Sequence, residues 1–80
     1  MRLEILGTGC TKCKLLAERT EEAAKAAGLP FELVKVTEIQ EILATGVSST
    51  PALRVDGRIA VQGHVPTVTA LTDLLTAGKA

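Results

Sequence analysis

Cys10 and Cys13 are the side chains in this 80-residue sequence best equipped for covalent chemistry. They stand three apart as Cys10-Thr11-Lys12-Cys13, just after Ile5-Leu6 gives way through Gly7-Thr8-Gly9 to a helical pattern. A Cys-x-x-Cys pair can exchange disulfides, hold a soft metal ion or do neither. Its placement between a first strand and a first helix favours exchange. In open α/β sheets ligands bind at that edge, outside the carboxyl ends of the parallel strands. Unpaired N–H groups and the positive end of the helix dipole converge there. A thiolate at Cys10 would accept those N–H groups, and Lys12 and Lys14 add positive charge. Such surroundings lower a thiol pKa from about 8.5 to roughly 3.5–7.5. Cys13 follows one helical turn later, close enough for the two sulfurs to meet. A loop this short makes the disulfide worth only about 2 kcal/mol to folding, which suits a bond that opens and closes. The expected course is attack by Cys10 on a substrate disulfide, a mixed disulfide, and resolution by Cys13.

The elements that must hold this pair follow from the hydrophobic pattern. Arg2–Leu6 reads as a strand. From Cys10 to Ala27 the residues Leu16, Thr20, Ala23, Ala24 and Ala27 recur at helical spacing, and Glu21 and Lys25 form an i,i+4 pair on a solvated face. Gly28 is the expected residue just past the helix end, and Pro30 forbids continuation. Phe31–Val36 alternates as a second strand. Thr37-Glu38-Ile39-Gln40 fits a capping box, with Thr37 at the cap of a short helix ending near Gly46. Ala52–Val55 and Arg58–Val61 flank Asp56-Gly57, the pair favoured by type I′ hairpin turns, with no further role expected of those two residues. Gly63 breaks the second arm. Pro66 suits a first helical turn, and Val68, Leu71, Leu74 and Leu75 form the apolar stripe of a last helix that stops before Gly78. The order is β-α-β-α-β-β-α. It implies an α/β fold with a parallel crossover, two antiparallel strands, one mixed four-stranded sheet and helices on both faces.

Composition removes other classes of function. Nine basic and nine acidic residues give a formal net charge of zero, so the basic footprint of a nucleic-acid binder is absent. Phe31 is the sole aromatic residue, which excludes base-stacking platforms and aromatic cages. Apolar runs are too short for the ~20 residues of a membrane span. Met1-Arg2 leads directly into the first strand without the apolar segment of a secretory signal. A single domain over residues 1–80 in the reducing cytoplasm is the expectation, and in that compartment a Cys pair serves redox or metal chemistry better than stapling.

Gly7-Thr8-Gly9-Cys10-Thr11-Lys12-Cys13, together with Thr50-Pro51-Ala52-Leu53 and Gly63, resembles the small, glutaredoxin-sized thioredoxin-like redox-active disulfide proteins of archaea and bacteria. The resemblance runs over essentially the whole chain and implies the thioredoxin fold. It makes Cys10 the exposed nucleophile and Cys13 the resolving thiol. It maps the family's cis-proline onto Pro51, and gives Thr50 the backbone groups that pair with a substrate peptide like an added strand. X-Pro bonds reach cis at only about 0.5–1 kcal/mol, and Pro51 brings no N–H to compete near the sulfurs. The docking groove would run around Gly9, Cys10, Thr50-Pro51 and Gly63. Implied partners are disulfide-containing proteins and a separate reductase or small thiol as electron donor, with no bound cofactor and a monomer as the expected state.

The sequence departs from ordinary thioredoxins in lacking Trp-Cys-Gly-Pro-Cys, and from common glutaredoxins in lacking a site Tyr and a Lys directly before Cys10. No Asp stands in the first strand, and Glu4 is not assigned as a proton acceptor. The rival reading is a soft-metal (copper or zinc) carrier. Small copper carriers place Cys-x-x-Cys similarly, but usually with Met two residues ahead, where Thr8 stands, and they continue β-β-α-β. Closed structural zinc sites want four ligands, more than two Cys and the lone His64 supply. His64 reads as a loop or cap residue, and Lys12 as either a tuner of the thiol or a solvated first-turn side chain. Gly7 and Gly9 fail as a dinucleotide fingerprint because Lys12 occupies the third glycine position.

Overall fold

The computed structural model describes residues 1–77. The elements are β1 (Arg2–Leu6), α1 (Thr11–Ala26), β2 (Glu32–Val36), α2 (Ile39–Ala44), β3 (Ala52–Val55), β4 (Arg58–Gln62) and α3 (Val68–Ala77). They form one mixed sheet in the order β2-β1-β3-β4, with β1 parallel to β2 and antiparallel to β3. The sheet, the parallel crossover pair and the helices on both faces are as the pattern implies. The stop of the last helix at Gly78 lies outside the described residues.

The two sides of β1 explain the layering. Leu3 and Ile5 enter a core with Leu16, Ala23 and Ala24 of α1, Leu53 and Val61 of β3 and β4, and Leu71 and Leu75 of α3. Leu6 points the other way, into a smaller cluster with Ile42 of α2 and Ala52. Period-two alternation thus places α1 and α3 on one face and α2 on the other. The small residues of α1 leave its stripe flat enough to lie close on the sheet. Thr20, within that stripe, is fully buried and its hydroxyl has no protein partner.

Local signals fix several ends. After α1, Gly28 takes φ +68°; its N–H donates to the Lys25 carbonyl at 3.1 Å and that of Leu29 to the Ala24 carbonyl at 3.2 Å. This is the paired closure of a Schellman motif. Asp56 (φ +47°) and Gly57 (φ +87°) take the two left-handed positions of the hairpin turn. Asp56 does more than turn the chain, however. Its carboxylate accepts from the Arg2 N–H at 2.7 Å and its own N–H donates to the Arg2 carbonyl at 2.9 Å, tying the hairpin to the start of β1.

Two expected starts are displaced. The capping box at Thr37 does not form. Glu38 is the cap residue of α2, without a side-chain cap bond. The ladder to β1 keeps β2 extended through Val36, and Thr37-Glu38 are needed to leave the sheet. Pro66 is not in the first turn of α3. Thr67 takes the cap, its hydroxyl accepting from the Ala70 N–H at 3.1 Å and its carbonyl from the Leu71 N–H at 3.0 Å. The Pro66 carbonyl instead accepts from the Arg19 guanidinium of α1 at 3.1 Å. The β3–β4 register also shifts between Leu53 and Arg54, a bulge that lengthens β4 to Gln62.

Candidate active site

At the end of β1 the Gly7 N–H continues the ladder, donating to the Val36 carbonyl at 3.1 Å. Thr8-Gly9 then turn the chain, Gly9 at φ +90°. Cys10 arrives as the cap residue of α1 with extended backbone (φ −69°, ψ 167°), and its Sγ accepts from the Cys13 N–H at 3.2 Å. The sulfur occupies the place where a serine or aspartate oxygen ordinarily satisfies a free N–H of the first turn. Cys10 and Cys13 are joined by a disulfide, with their Cα atoms 5.0 Å apart. The two are not equivalent: Cys10 is exposed, whereas Cys13 is only 5% exposed.

The second wall comes from β3. Leu6 pairs with Ala52, so in antiparallel register Pro51 falls beside Gly7. The Thr50-Pro51 peptide bond is cis; Pro51 is buried and Thr50 exposed. Gly63, at φ +81°, donates its N–H to the Pro51 carbonyl at 2.9 Å. Its conformation calls for glycine, and a Cβ there would also require the Ser49 hydroxyl, 2.6 Å away, to turn aside. Gln62 Oε1 accepts from the N–H and the hydroxyl of Ser48, each at 3.0 Å, and locks the loop ahead of Pro51 onto the end of β4. Gly63 and Thr50-Pro51 are thereby brought together along the strand edge next to the Gly7–Cys10 turn. Lys12 lies exposed on the first turn of α1. His64 is exposed, with Nδ1 3.2 Å from the Gln62 carbonyl, in keeping with a loop role.

Glu4 belongs to the opposite face of the sheet from Cys13, because it alternates with Leu3 and Ile5. It is 4% exposed and takes a two-pronged bond from Arg54, Nε at 2.8 Å and Nη2 at 2.7 Å. The Arg54 hydrogen bond, reinforced by the Arg54 and Arg2 charges and opposed by burial, holds its carboxyl below the usual carboxylate range. Arg54 is correspondingly raised. On the Cys13 side, a crevice of about 30 Å³ is bordered by Cys13 with Ile5, Gly7, Lys14, Lys35 and Thr37, with no carboxylate among its lining residues.

Two features of the site were not singled out in the sequence. One is an open groove of about 190 Å³ between Thr8 and Thr50, floored by Ile39, Ile42 and Leu43 of α2. Ile39 and Leu43 are 59% and 67% exposed. Ile39, Ile42 and Leu43, spaced i, i+3, i+4, form one apolar stripe on α2 of which only Ile42 is buried, and that stripe is the signal by which the groove could have been found. The other is the seat of Cys13 on Gly7, which only three-dimensional proximity reveals.

Among the described residues no group of three or more His, Cys, Asp or Glu side chains is placed to hold a metal ion, and the chain continues β-α-β-β-α after the Cys pair rather than in the order of the copper carriers. Nothing further supports the carrier reading. The sequence profile of the family described as "Thioredoxin domain" matches residues 1–76. A protein named thioredoxin from Methanothermobacter thermautotrophicus is 34% identical over 76 residues, spanning 95% of this chain and 99% of that protein. Another of that name, from Methanocaldococcus jannaschii, is 37% identical over 73 residues, spanning 91% of this chain and 84% of that protein. A capped, bonded Cys-x-x-Cys on a β-α-β-α-β-β-α sheet, matched over nearly its full length, makes this chain a member of the thioredoxin-domain family.

Proposed function

We propose that Cys10 and Cys13 divide the two halves of disulfide exchange between them. As a member of its family the chain is a thiol–disulfide oxidoreductase, taking disulfides as substrates and drawing electrons from a reductase partner. The observation that carries the division of labour is the asymmetry of the pair: an exposed sulfur at the helix cap bonded to a buried one. In the dithiol state the first-turn N–H groups and the helix dipole favour a thiolate at Cys10. That thiolate attacks one sulfur of the substrate disulfide, the substrate S–S bond breaks, and the released thiolate takes a proton. Cys13 then loses its proton and attacks the Cys10 sulfur. The Cys10–Cys13 bond forms, and the second substrate thiol departs. Two electrons have passed to the substrate, and a separate reductase or small thiol restores the dithiol.

Lys12 adds a positive charge near the nucleophile. Gly9, Thr50-Pro51 and Gly63 border the cleft, and exposed Thr50 offers backbone groups to an extended peptide. The groove between Thr8 and Thr50 suits an apolar side chain of a protein substrate beside its cystine. The reading is of one domain over residues 1–80, working as a cytoplasmic monomer without cofactor or nucleic acid. In support of the last points, no helix among the described residues is long and apolar enough to cross a membrane, and the net charge is zero.

The test is redox titration in defined thiol buffers, with free thiols trapped by alkylation and weighed. A two-electron transition is expected. Cys10→Ser should abolish reduction of a cystine-containing peptide, and Cys13→Ser should accumulate the mixed disulfide. Turnover that survives Cys10→Ser would overturn the assignment.

A further inference from the structure

Five of the six glycines among the described residues, Gly9, Gly28, Gly46, Gly57 and Gly63, have φ between +68° and +90°, where a side chain is strained. Gly7 is the exception: its φ is not in that region, yet it is buried at the end of β1. Space calls for glycine here. A Cβ on residue 7 would collide with Cys13 Sγ and lie 3.2 Å from Cys13 Cβ, tighter than an ordinary van der Waals contact.

We propose that Gly7 is a positioning residue that makes room for the Cys13 sulfur in the disulfide state and so sets the balance between disulfide and dithiol. The inference rests on the reading that the pair cycles between those states. In the dithiol, the Cys13 sulfur is the free end of a side chain and can turn about χ1 to another staggered position. The crevice of about 30 Å³ bordering Cys13 offers volume for it. In the disulfide the same sulfur is tethered to Cys10 and cannot yield. The close approach to Cys13 Cβ burdens both states alike, whereas the collision with Sγ burdens the disulfide far more. A methyl at position 7 therefore favours the dithiol.

The balanced reaction that reports this is reduction by glutathione: the Cys10–Cys13 bond and two glutathione thiols give two protein thiols and one glutathione disulfide. For Gly7→Ala the equilibrium constant should rise about tenfold or more, since overpacking a closed site by one methyl is costly. A tenfold rise is a potential about 30 mV more oxidising. Gly57→Ala is the control, strained in φ but with no atom within 4 Å of its added Cβ. It should lower the stability of both states and leave the midpoint where it was. A Gly7→Ala midpoint equal to that of the unaltered protein, or shifted toward the disulfide, overturns the proposal. Absence of any two-electron transition in the unaltered protein overturns the functional reading and the proposal together. Should Gly7→Ala fail to fold in either state, the double variant Gly7→Ala/Cys13→Gly, which lacks both close atoms of residue 13, must fold as well as Cys13→Gly. If it does not, Gly7 serves the backbone alone and the proposal is wrong.

Discussion

At the scale of single residues, the molecule separates two kinds of ionic and sulfur chemistry by the two faces of one strand. Buried Glu4 and half-buried Arg54 pair on the α2 face, both carboxylate oxygens occupied at 2.7–2.8 Å. The pair is structural and gives the exchange site no base. Its consequence is a definite pH dependence. Glu4 is lowered in the folded state, chiefly by the Arg54 hydrogen bond, so its contribution is complete above the ordinary carboxylate pKa and is lost as pH falls through the lowered folded value. Glu4→Gln should flatten this acid limb in urea melts taken across that range. At neutral pH it should cost about 2 kcal/mol, as expected for a hydrogen bond between charged groups. An unchanged acid limb would show that the pair does not matter to stability. Because Glu4 lies on the sheet face opposite Cys13 and is engaged by Arg54, the variant should keep its reduction potential.

At the scale of elements, α2 divides one apolar stripe between two tasks. Ile42 closes the small cluster over Leu6 and Ala52, while Ile39 and Leu43 are left in the groove by Thr8 and Thr50. Under the proposed function, the two large aliphatics left exposed beside the site contact the substrate protein. Leu43→Ser should therefore lower kcat/KM toward a protein disulfide about tenfold through KM. The midpoint potential and the melting curve should stay close to those of the unaltered protein. Equal loss toward a small, side-chain-free disulfide would remove the groove from substrate binding. The turn between β3 and β4 is a second element with a double role. Asp56 closes the hairpin and clamps Arg2 of β1, so Asp56→Ala should destabilise the fold by about 1–3 kcal/mol. That is more than a turn substitution alone would cost, and chemical denaturation measures it.

At the scale of the whole molecule, the disulfide spans so few residues that it restrains little of the unfolded chain. Reduction should lower the unfolding free energy by only about 2 kcal/mol, leaving the sheet and both clusters cooperative. Guanidinium melts of the oxidised and reduced forms would check this, and a reduced form that is unfolded in buffer would contradict it. Small stabilisation is what allows the pair to open without endangering the rest. The three segments that border the site (Gly7–Cys13, Thr50-Pro51 and Gly63) lie far apart in sequence and meet because β1 and β3 are neighbours in the sheet. Position, not covalent stapling, holds the site together.

Much of this was legible along the chain, because it depends on neighbours in sequence. The Cys pair at a strand-to-helix junction, the Gly28 stop and the Asp56-Gly57 turn each follow from backbone preferences of a few adjacent residues. Element order and the mixed sheet follow from hydrophobic period and connection length. Contacts through space decided the rest: the ladder that holds β2 extended and delays α2 past Thr37, the cap at Thr67 that leaves Pro66 outside α3, the Arg54 partner that makes Glu4 a buried ion, and the Cys13 sulfur lying where a side chain of residue 7 would stand. A sequence states what each residue prefers; which atom occupies the neighbouring space is settled only when strands distant in the chain are laid side by side.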